Sequence, residues 1–463
     1  MMQSTCAFLR SMVFGLGVTL VANGQEGYSL VEAVEFAQKN SLMLQGKQLD
    51  ISDANEQVRE YMSIGLPKLG ASLGYNYFPK LPTSIFPNFI EPAIYDVLFD
   101  ENLLPRRDLD PLSGVPVQFG TRHNATASLE LSTLLFDGSF LVGLKGQRMY
   151  KELLNLQLAQ SQVDVRYSVT QAYLAVLLLQ ENRRIVAKNL ENLRRMKLET
   201  GALFQSGFAE RLDVDRLDLT VQQLETQADQ LVKLEEVSLQ MLKFQMNYPA
   251  GKSLTLTDRL EILLNKSYLE VMDPTFTLQL EARPEHAVLS KSIELAQVNI
   301  KRLRYSYYPS LVGFGGFSES LQRTKLFDSD DNGWFATANL GVQLNWQIFD
   351  GRDRRAKLAR ARITKDRTQL GYQQFSNAAS LEFQNARTEY VNSLLVLDNR
   401  KKSLALAEKI YGITLAKYRE GLGSSFELSS SERDLYQSQA DLLNAQYELV
   451  ASKVRLDKSM GKL

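Results

Sequence analysis

Ala338-Asn-Leu-Gly-Val-Gln-Leu-Asn-Trp-Gln-Ile-Phe-Asp-Gly-Arg352 is the stretch whose reading decides the fold. Successive side chains of a strand point to opposite faces. Leu340, Val342, Leu344, Trp346 and Ile348 therefore share one face, and Asn339, Gly341, Gln343, Asn345 and Gln347 share the other. Phe349-Asp350-Gly351 is a turn signal. From Arg352 to about Glu420 there is no proline and only two glycines, Gly371 and Gly412. That spacing predicts one helix roughly 100 Å long at 1.5 Å per residue. A strand with one apolar face, fused to a helix longer than a globular core needs, sets the terms for the rest of the chain.

The same plan stands upstream. Ser29 to Ile64 reads as a helix with a capping box at Ser29 and Glu32, ended by Pro67. Leu69, Ala71, Leu73, Tyr75 and Tyr77 then alternate with small polar residues as a first strand. Residues 79–123 hold seven of the twelve prolines and read as a long loop, because proline cannot continue a sheet ladder. A second strand, about Thr126 to Phe136, runs into Phe136-Asp137-Gly138. A helix over 139–205 carries Leu154, Leu158, Ser161, Val165, Ser168, Ala172, Ala175 and Leu179 at the 3.5-residue spacing of a coiled-coil seam. Gly207 breaks it, and a partner helix spans 211–248. Downstream, a helix, a Gly-rich strand (Leu311 to Phe317), the quoted strand, the long helix over 352–420, a turn at Gly421–Ser425 and a helix over 426–460 repeat the order. Phe136 and Phe349 stand 213 positions apart, and Gly207 and Gly421 stand 214 apart. The expected organisation is a signal peptide (1–24), a first repeat (25–248, with a β-hairpin over 68–136), a connector (249–274) and a second repeat (275–463, with a β-hairpin over 310–349). A repeat of this length implies one pseudo-symmetric domain.

Composition excludes several classes. The chain has 53 basic and 53 acidic residues, so nothing points to nucleic acid. Met1 to Leu20 is a short apolar run with Arg10, followed by Ala22-Asn-Gly24, the pattern of a secretory signal too short to span a bilayer. The one cysteine, Cys6, falls inside it, so the mature chain is expected to have neither disulfide nor thiol chemistry. His123 and His286 are the only histidines and lie far apart in sequence, which gives no metal or catalytic group. Asp328-Ser-Asp-Asp-Asn-Gly333 copies half of a calcium loop, but its twelfth position is Asn339 rather than Glu. Gly313-Phe-Gly-Gly316 precedes no helix and is no phosphate cradle. No cofactor, no metal and no enzymatic activity are expected. Tyr75, Tyr77, Trp334 and Trp346 have the composition of interfacial belts, with ordinary core packing as the alternative for each. Arg352, Arg354, Arg355 and Lys357 read by default as a solvated face, with anionic lipid heads or a tunnel lining as alternatives.

Four strands of about ten residues are long enough to cross a bilayer when tilted. An open four-stranded sheet has unpaired edges that hydrocarbon does not tolerate, and bacterial barrels start at about eight strands. One chain is therefore not enough: two copies give the minimum and three give twelve strands. The alternatives are a strand set at the edge of a soluble sandwich and a periplasmic coiled-coil structural protein with no pore.

The duplicated plan of helix, hairpin, Phe-Asp-Gly and long helix resembles the TolC-like outer-membrane efflux proteins over essentially the whole mature chain. So do the two turn motifs, Gly207-Phe-Ala-Glu-Arg-Leu-Asp-Val214 and Gly421-Leu-Gly-Ser-Ser-Phe-Glu-Leu428. The resemblance implies a mainly α fold, a periplasmic α-barrel of long antiparallel coiled-coil helices, and four membrane β-strands per chain in a 12-stranded trimeric β-barrel. It implies an exit duct of a tripartite efflux or type I secretion system, sited in the outer membrane among its lipids. Its partners would be a periplasmic adaptor (membrane fusion) protein and an inner-membrane transporter that open the tip. It puts the periplasmic gate at Asp213, Asp215 and Glu427, and adaptor docking at Gly207, Phe208 and Ala209 and at Gly421, Leu422 and Gly423. Phe136, Asp137, Gly138, Phe349, Asp350 and Gly351 form the strand-to-helix turns. Ser430 stands where the family often has a second acid, and Gly423 where it has a basic residue, so the chain departs from the family's tip salt-bridge pattern at these two places. A ring of carboxylates in a narrow neck would favour cations and repel itself; acids at helix N-termini are also what the helix dipole alone favours.

Overall fold

In chain order the elements are β1 (Gly27–Tyr28), α1 (Leu30–Asn40), α2 (Leu42–Ser63), β2 (Lys68–Tyr77), β3 (Thr83–Pro87), α3 (Ile90–Asp100), β4 (Gly114–Gln118), β5 (His123–Phe136), α4 (Gly138–Gln205) and α5 (Arg211–Met246). There follow β6 (Thr255–Leu256), α6 (Leu260–Leu263), α7 (Pro284–Tyr305), β7 (Ser310–Arg323), β8 (Trp334–Asn345), α8 (Asp353–Arg419) and α9 (Ser425–Ser459). This computed structural model describes residues 27–87, 90–106, 108, 114–264, 277–327 and 333–463. The expected signal peptide with Cys6, most of the calcium-like loop and residues 265–274 of the expected connector lie outside them. The described chain is mainly helical, and no helix in it is long and apolar enough to cross a membrane. It divides into two compact units.

One unit comprises Gln48–Gln157 and Glu285–Gln374. Its sheet has the order β2-β5-β7-β8, antiparallel throughout. The register lines up Leu69, Leu131, Gly315 and Leu340; then Ala71, Leu129, Phe317 and Ala338; then Tyr75, Ala125, Leu321 and Trp334. All lie on one face, because positions two apart along a strand share a side. The other face carries rows such as Ser72, Ser128, Ser318 and Thr337, with Ser72 Oγ 2.7 Å from Ser128 Oγ. Among the described residues nothing covers the apolar face: Leu73 is 88% and Leu340 90% exposed. One carboxylate interrupts it, Glu319, between Ala127 and Ala336. On the polar face a Cβ at Gly341 would stand 2.4 Å from the Phe314 ring, so the glycine makes room for that ring to lie across the strand. β2 and β8 each pair on one side only.

Three expectations are corrected. The loop over 79–123 contains the two-stranded ribbon β3–β4 and the helix α3. Pro87 and Pro116 are accommodated because a two-stranded ribbon leaves every strand an open edge. The quoted strand ends at Asn345, not Ile348. The single helix over 29–64 is two, α1 and α2, divided at Ser41, whose ψ of 122° leaves the helical region. The Ser29–Glu32 capping box is present as expected.

The other unit comprises the described part of residues 1–47 with Leu158–Pro284 and Phe375–Leu463. Its largest core cluster joins Ala33, Ala37 and Leu44 to Val165, Val169, Tyr173, Val176 and Leu177 of α4 and Leu242 and Met246 of α5. The buried line on α4 is thus offset from the expected seam, which lies only half-buried over much of its length. β6 pairs in parallel with β1, Gly27 with Thr255 and Tyr28 with Leu256. Tyr173, whose ring is fully buried, donates its hydroxyl to Tyr28 O at 2.9 Å and Asp258 Oδ2 at 3.1 Å. Burial, with the carboxylate of Asp258 beside it, pushes that phenol up. The stretch read as a connector is therefore built into this core through β6 and α6.

Candidate functional site

Two helix reversals carry the candidate gate. α4 ends at Gln205, and Gly207 takes φ = 78°, a left-handed conformation that costs glycine nothing. The N–H of Gly207 donates to Phe204 O (3.0 Å) and that of Phe208 to Leu203 O (2.9 Å). This is the double bond of a Schellman end, which satisfies two carbonyls the helix leaves open. The second reversal copies it: Gly421 at φ = 72°, with Gly421 N–H to Tyr418 O (3.0 Å) and Leu422 N–H to Lys417 O (2.9 Å). Phe208 and Leu422, the residues just after the glycines, are 83% and 82% exposed, and Ala209 follows in the first turn. A Cβ at Gly423 would stand 3.2 Å from Tyr418 N, so any side chain there would crowd the turn.

Asp213 and Glu427 sit in the first turns of the helices that follow, and Asp215 lies two residues further along α5. Asp213 accepts from the N–H of Glu210, the cap of α5, at 3.2 Å. Asp215 is exposed and paired with Arg211 Nε at 3.0 Å. Glu427 donates its backbone N–H to Ser424 Oγ at 3.2 Å, and its carboxylate is exposed. Among the described residues none of the three is bonded to another. Sequence reading missed what ties the two turns together: Arg216 of α5 donates to Ser425 Oγ (3.1 Å) and lies 5.8 Å over the Phe426 ring. Arg419 and Glu199 add an ion pair at 3.6 Å. Beneath, Leu193, Leu217, Val221 and Leu428 belong to one buried cluster.

The strand-to-helix turns are a second device. Asp137 Oδ1 accepts from the N–H of Phe140 at 2.9 Å and caps α4, which starts at Gly138; Phe136 ends β5. In the second turn Gly351 and Arg352 both have positive φ, and Phe349 is exposed. Asp350 accepts from the N–H groups of Arg352 (3.1 Å) and Arg354 (3.0 Å). Arg354 is no solvated residue. It is largely buried, forms an ion pair with Asp350, donates to Ser306 O at 3.1 Å and to Gln347 O, and stacks 4.8 Å over Tyr307. Its guanidinium holds the Asp350 carboxyl below the usual carboxylate range. One spacing signal was available: Asp350 and Arg354 are four apart at a helix start.

Among the described residues no group of His, Cys, Asp and Glu is placed to hold a metal. His123 instead stacks on Tyr77 and bonds Tyr75 Oη through Nδ1 at 2.8 Å.

Residues 277–462 match the family described as outer membrane efflux protein. No curated protein matches the chain in sequence. Among solved structures it is similar to CusC, described for its transmembrane channel formation, with a TM-score of 0.72 at 16% identity over 94% of this chain and 92% of that one. It is similar to the open state of the MtrE outer membrane channel of Neisseria gonorrhoeae, with a TM-score of 0.70 at 14% identity over 100% and 97%. The outer membrane protein VceC of Vibrio cholerae gives 0.68 at 15% identity over 93% and 96%. At such identities the shared property is the fold. The matched family is one of channels, not enzymes. Residues 277–462 thus carry the signature of the outer membrane efflux protein family, and the chain shares the fold of these outer membrane channels over nearly all its length.

Proposed function

We propose that three copies of this chain form an outer-membrane exit duct for a tripartite efflux or type I secretion system. The observation that carries it is the sheet: four antiparallel strands, one bare apolar face, one hydroxyl-rich face and two unpaired edges. In hydrocarbon the edges must pair with other copies, and three give a 12-stranded barrel. The apolar face then meets lipid, with Tyr75 and Trp334 at one rim, and the polar face lines water. The likeness to outer membrane channels supports this reading.

The helices have the same incompleteness. Leu234, Val237, Met241 and Phe244 form an exposed apolar stripe on α5 at heptad spacing, as a helix of a neighbouring copy would cover. On this reading the helices form a periplasmic tunnel. The turns at Gly207, Phe208 and Ala209 and at Gly421, Leu422 and Gly423 meet the adaptor, and Asp213, Asp215 and Glu427 ring the tip three-fold. The channel is passive, opened by the adaptor and the inner-membrane pump. The test joins mass with conductance: the detergent-extracted complex should contain three chains and conduct in planar bilayers. A non-conducting monomer would leave the pore-free coiled-coil reading in its place.

A further inference from the structure

The helix-end bundle contains a buried carboxylate that the gate reading does not use. Glu432 is 1% exposed. It occupies the seam of α9, with Leu428 four residues before it and Leu435 three after, both buried. A charged residue at such a position has no packing rationale, because leucine would fill the place without desolvating a charge. Its hydrogen-bond partner is the hydroxyl of Tyr436, which donates at 2.9 Å to Oε1. From α8, Tyr411 faces it. The charges of the packed helices are engaged elsewhere: Arg419 of α8 with Glu199 of α4, Lys197 of α4 with Asp218 of α5, and Arg216 of α5 with Ser425. Among the described residues no Lys, Arg or His lies within ion-pair distance of Glu432. A neutral carboxyl suits this site, and an ionised one does not.

The geometry points to Glu432 as a proton-operated latch of the helix-end turns: protonated, it lets α9 pack on α8 and α4 beside Leu428; ionised, it drives that packing apart and favours the open tip. The role in opening rests on the gate reading above; the latch itself rests on burial alone. Burial pushes the carboxyl from 4.5 up to about 7, against the smaller opposing effect of the Tyr436 hydrogen bond. The sign follows. In an opened state that hydrates Glu432 the group ionises near 4.5, so the packed state loses ground as pH rises from about 4.5 to about 7. Above that both states are ionised and the dependence flattens. At acid pH both are protonated and the penalty vanishes.

The experiment is amide exchange on the full-length, detergent-extracted protein between pH 5 and 8, corrected for intrinsic exchange, with single-channel recording over the same range. Wild type should show exchange over 411–436 rising about tenfold per unit at first and levelling near pH 7, a total of about one hundredfold at most. Glu432→Gln, neutral and nearly the same shape, should be protected and flat at all pH. Opening frequency should follow exchange in wild type and stay low in the variant. A flat wild-type profile, or a Glu432→Gln profile that tracks wild type, overturns the latch. Exchange that responds while conductance does not would leave the proton site standing and overturn its role in opening. Glu432→Asp, which keeps the charge on a shorter stem, should retain the pH dependence; its loss there would also count against the carboxyl as the responsive group.

Discussion

A single side chain, Arg354, does most to fix where the strand stops and the long helix starts. It bridges the carbonyls of Ser306 and Gln347, pairs with Asp350 and covers Tyr307, so the chain entering β7 and the chain leaving β8 meet at one guanidinium. Arg354→Ala leaves two carbonyls without their charged donor, at a cost on the order of 2 kcal/mol. Arg354→Lys should recover little, because an ammonium cannot span three acceptors in a plane. Thermal unfolding of the extracted protein checks this, and unchanged midpoints for both variants would refute it. Composition hid this residue. Four basic side chains near a helix start look like a solvated face, and only the fold turns one of them inward. Glu432 was hidden for the opposite reason: one acid in a long polar helix is invisible until the neighbours at four before and three after are known to be buried.

At the scale of elements, period was the legible quantity and depth was not. The two-residue alternation placed Leu69, Leu131 and Leu340 on one face, and the register brings them into one row. Glycine marked both helix ends correctly, because only a residue free of Cβ strain closes a Schellman end at that φ. Gly207→Val and Gly421→Val should therefore each cost about 1–2 kcal/mol, although the Cβ itself would meet open space. Denaturation midpoints measure it, and a neutral outcome would mean the turns relax. The expected seam of α4 is buried at Leu154 and Val165, but its small residues at heptad spacing, Ser168, Ala172 and Ala175, are only half-buried, and the buried line runs instead through Val169 and Tyr173. Proline counting likewise missed β3–β4, since a ribbon with two open edges tolerates prolines a wide sheet would reject. The bare stripe on α5 yields a further expectation. Val237→Glu with Met241→Glu should leave the protomer folded, since both side chains are exposed, yet shift the extracted complex towards monomer by mass. A complex unchanged in size would assign that stripe to another use.

For the whole molecule, the parity of the sheet decides what kind of assembly is open to it. With four antiparallel strands, β2 and β8 run in opposite directions. The β8 edge of one copy therefore meets the β2 edge of the next as one more antiparallel pair, head to tail, and every copy repeats the same contact. Such a contact either closes into a ring or runs on as an open chain. Strand tilt and twist favour closure, and the number of copies is then a property of the edge. The apolar face supplies the probe, since residues that share it can be joined across the new pair. In a Cys6→Ser background, Ala71→Cys on β2 should be combined in turn with Ala336→Cys, Ala338→Cys, Leu340→Cys and Val342→Cys on β8. The set is needed because closing a barrel staggers the register at the new pair by an amount the open sheet does not fix. One combination should cross-link under oxidation into a ladder of monomer, dimer and trimer that stops there, and the linked trimer should still conduct. A ladder that stops at two would mean an eight-stranded barrel, and one that climbs without limit would mean the edges pair as a chain. No cross-link in any combination would show that β2 and β8 do not meet, and the duct would lose its wall.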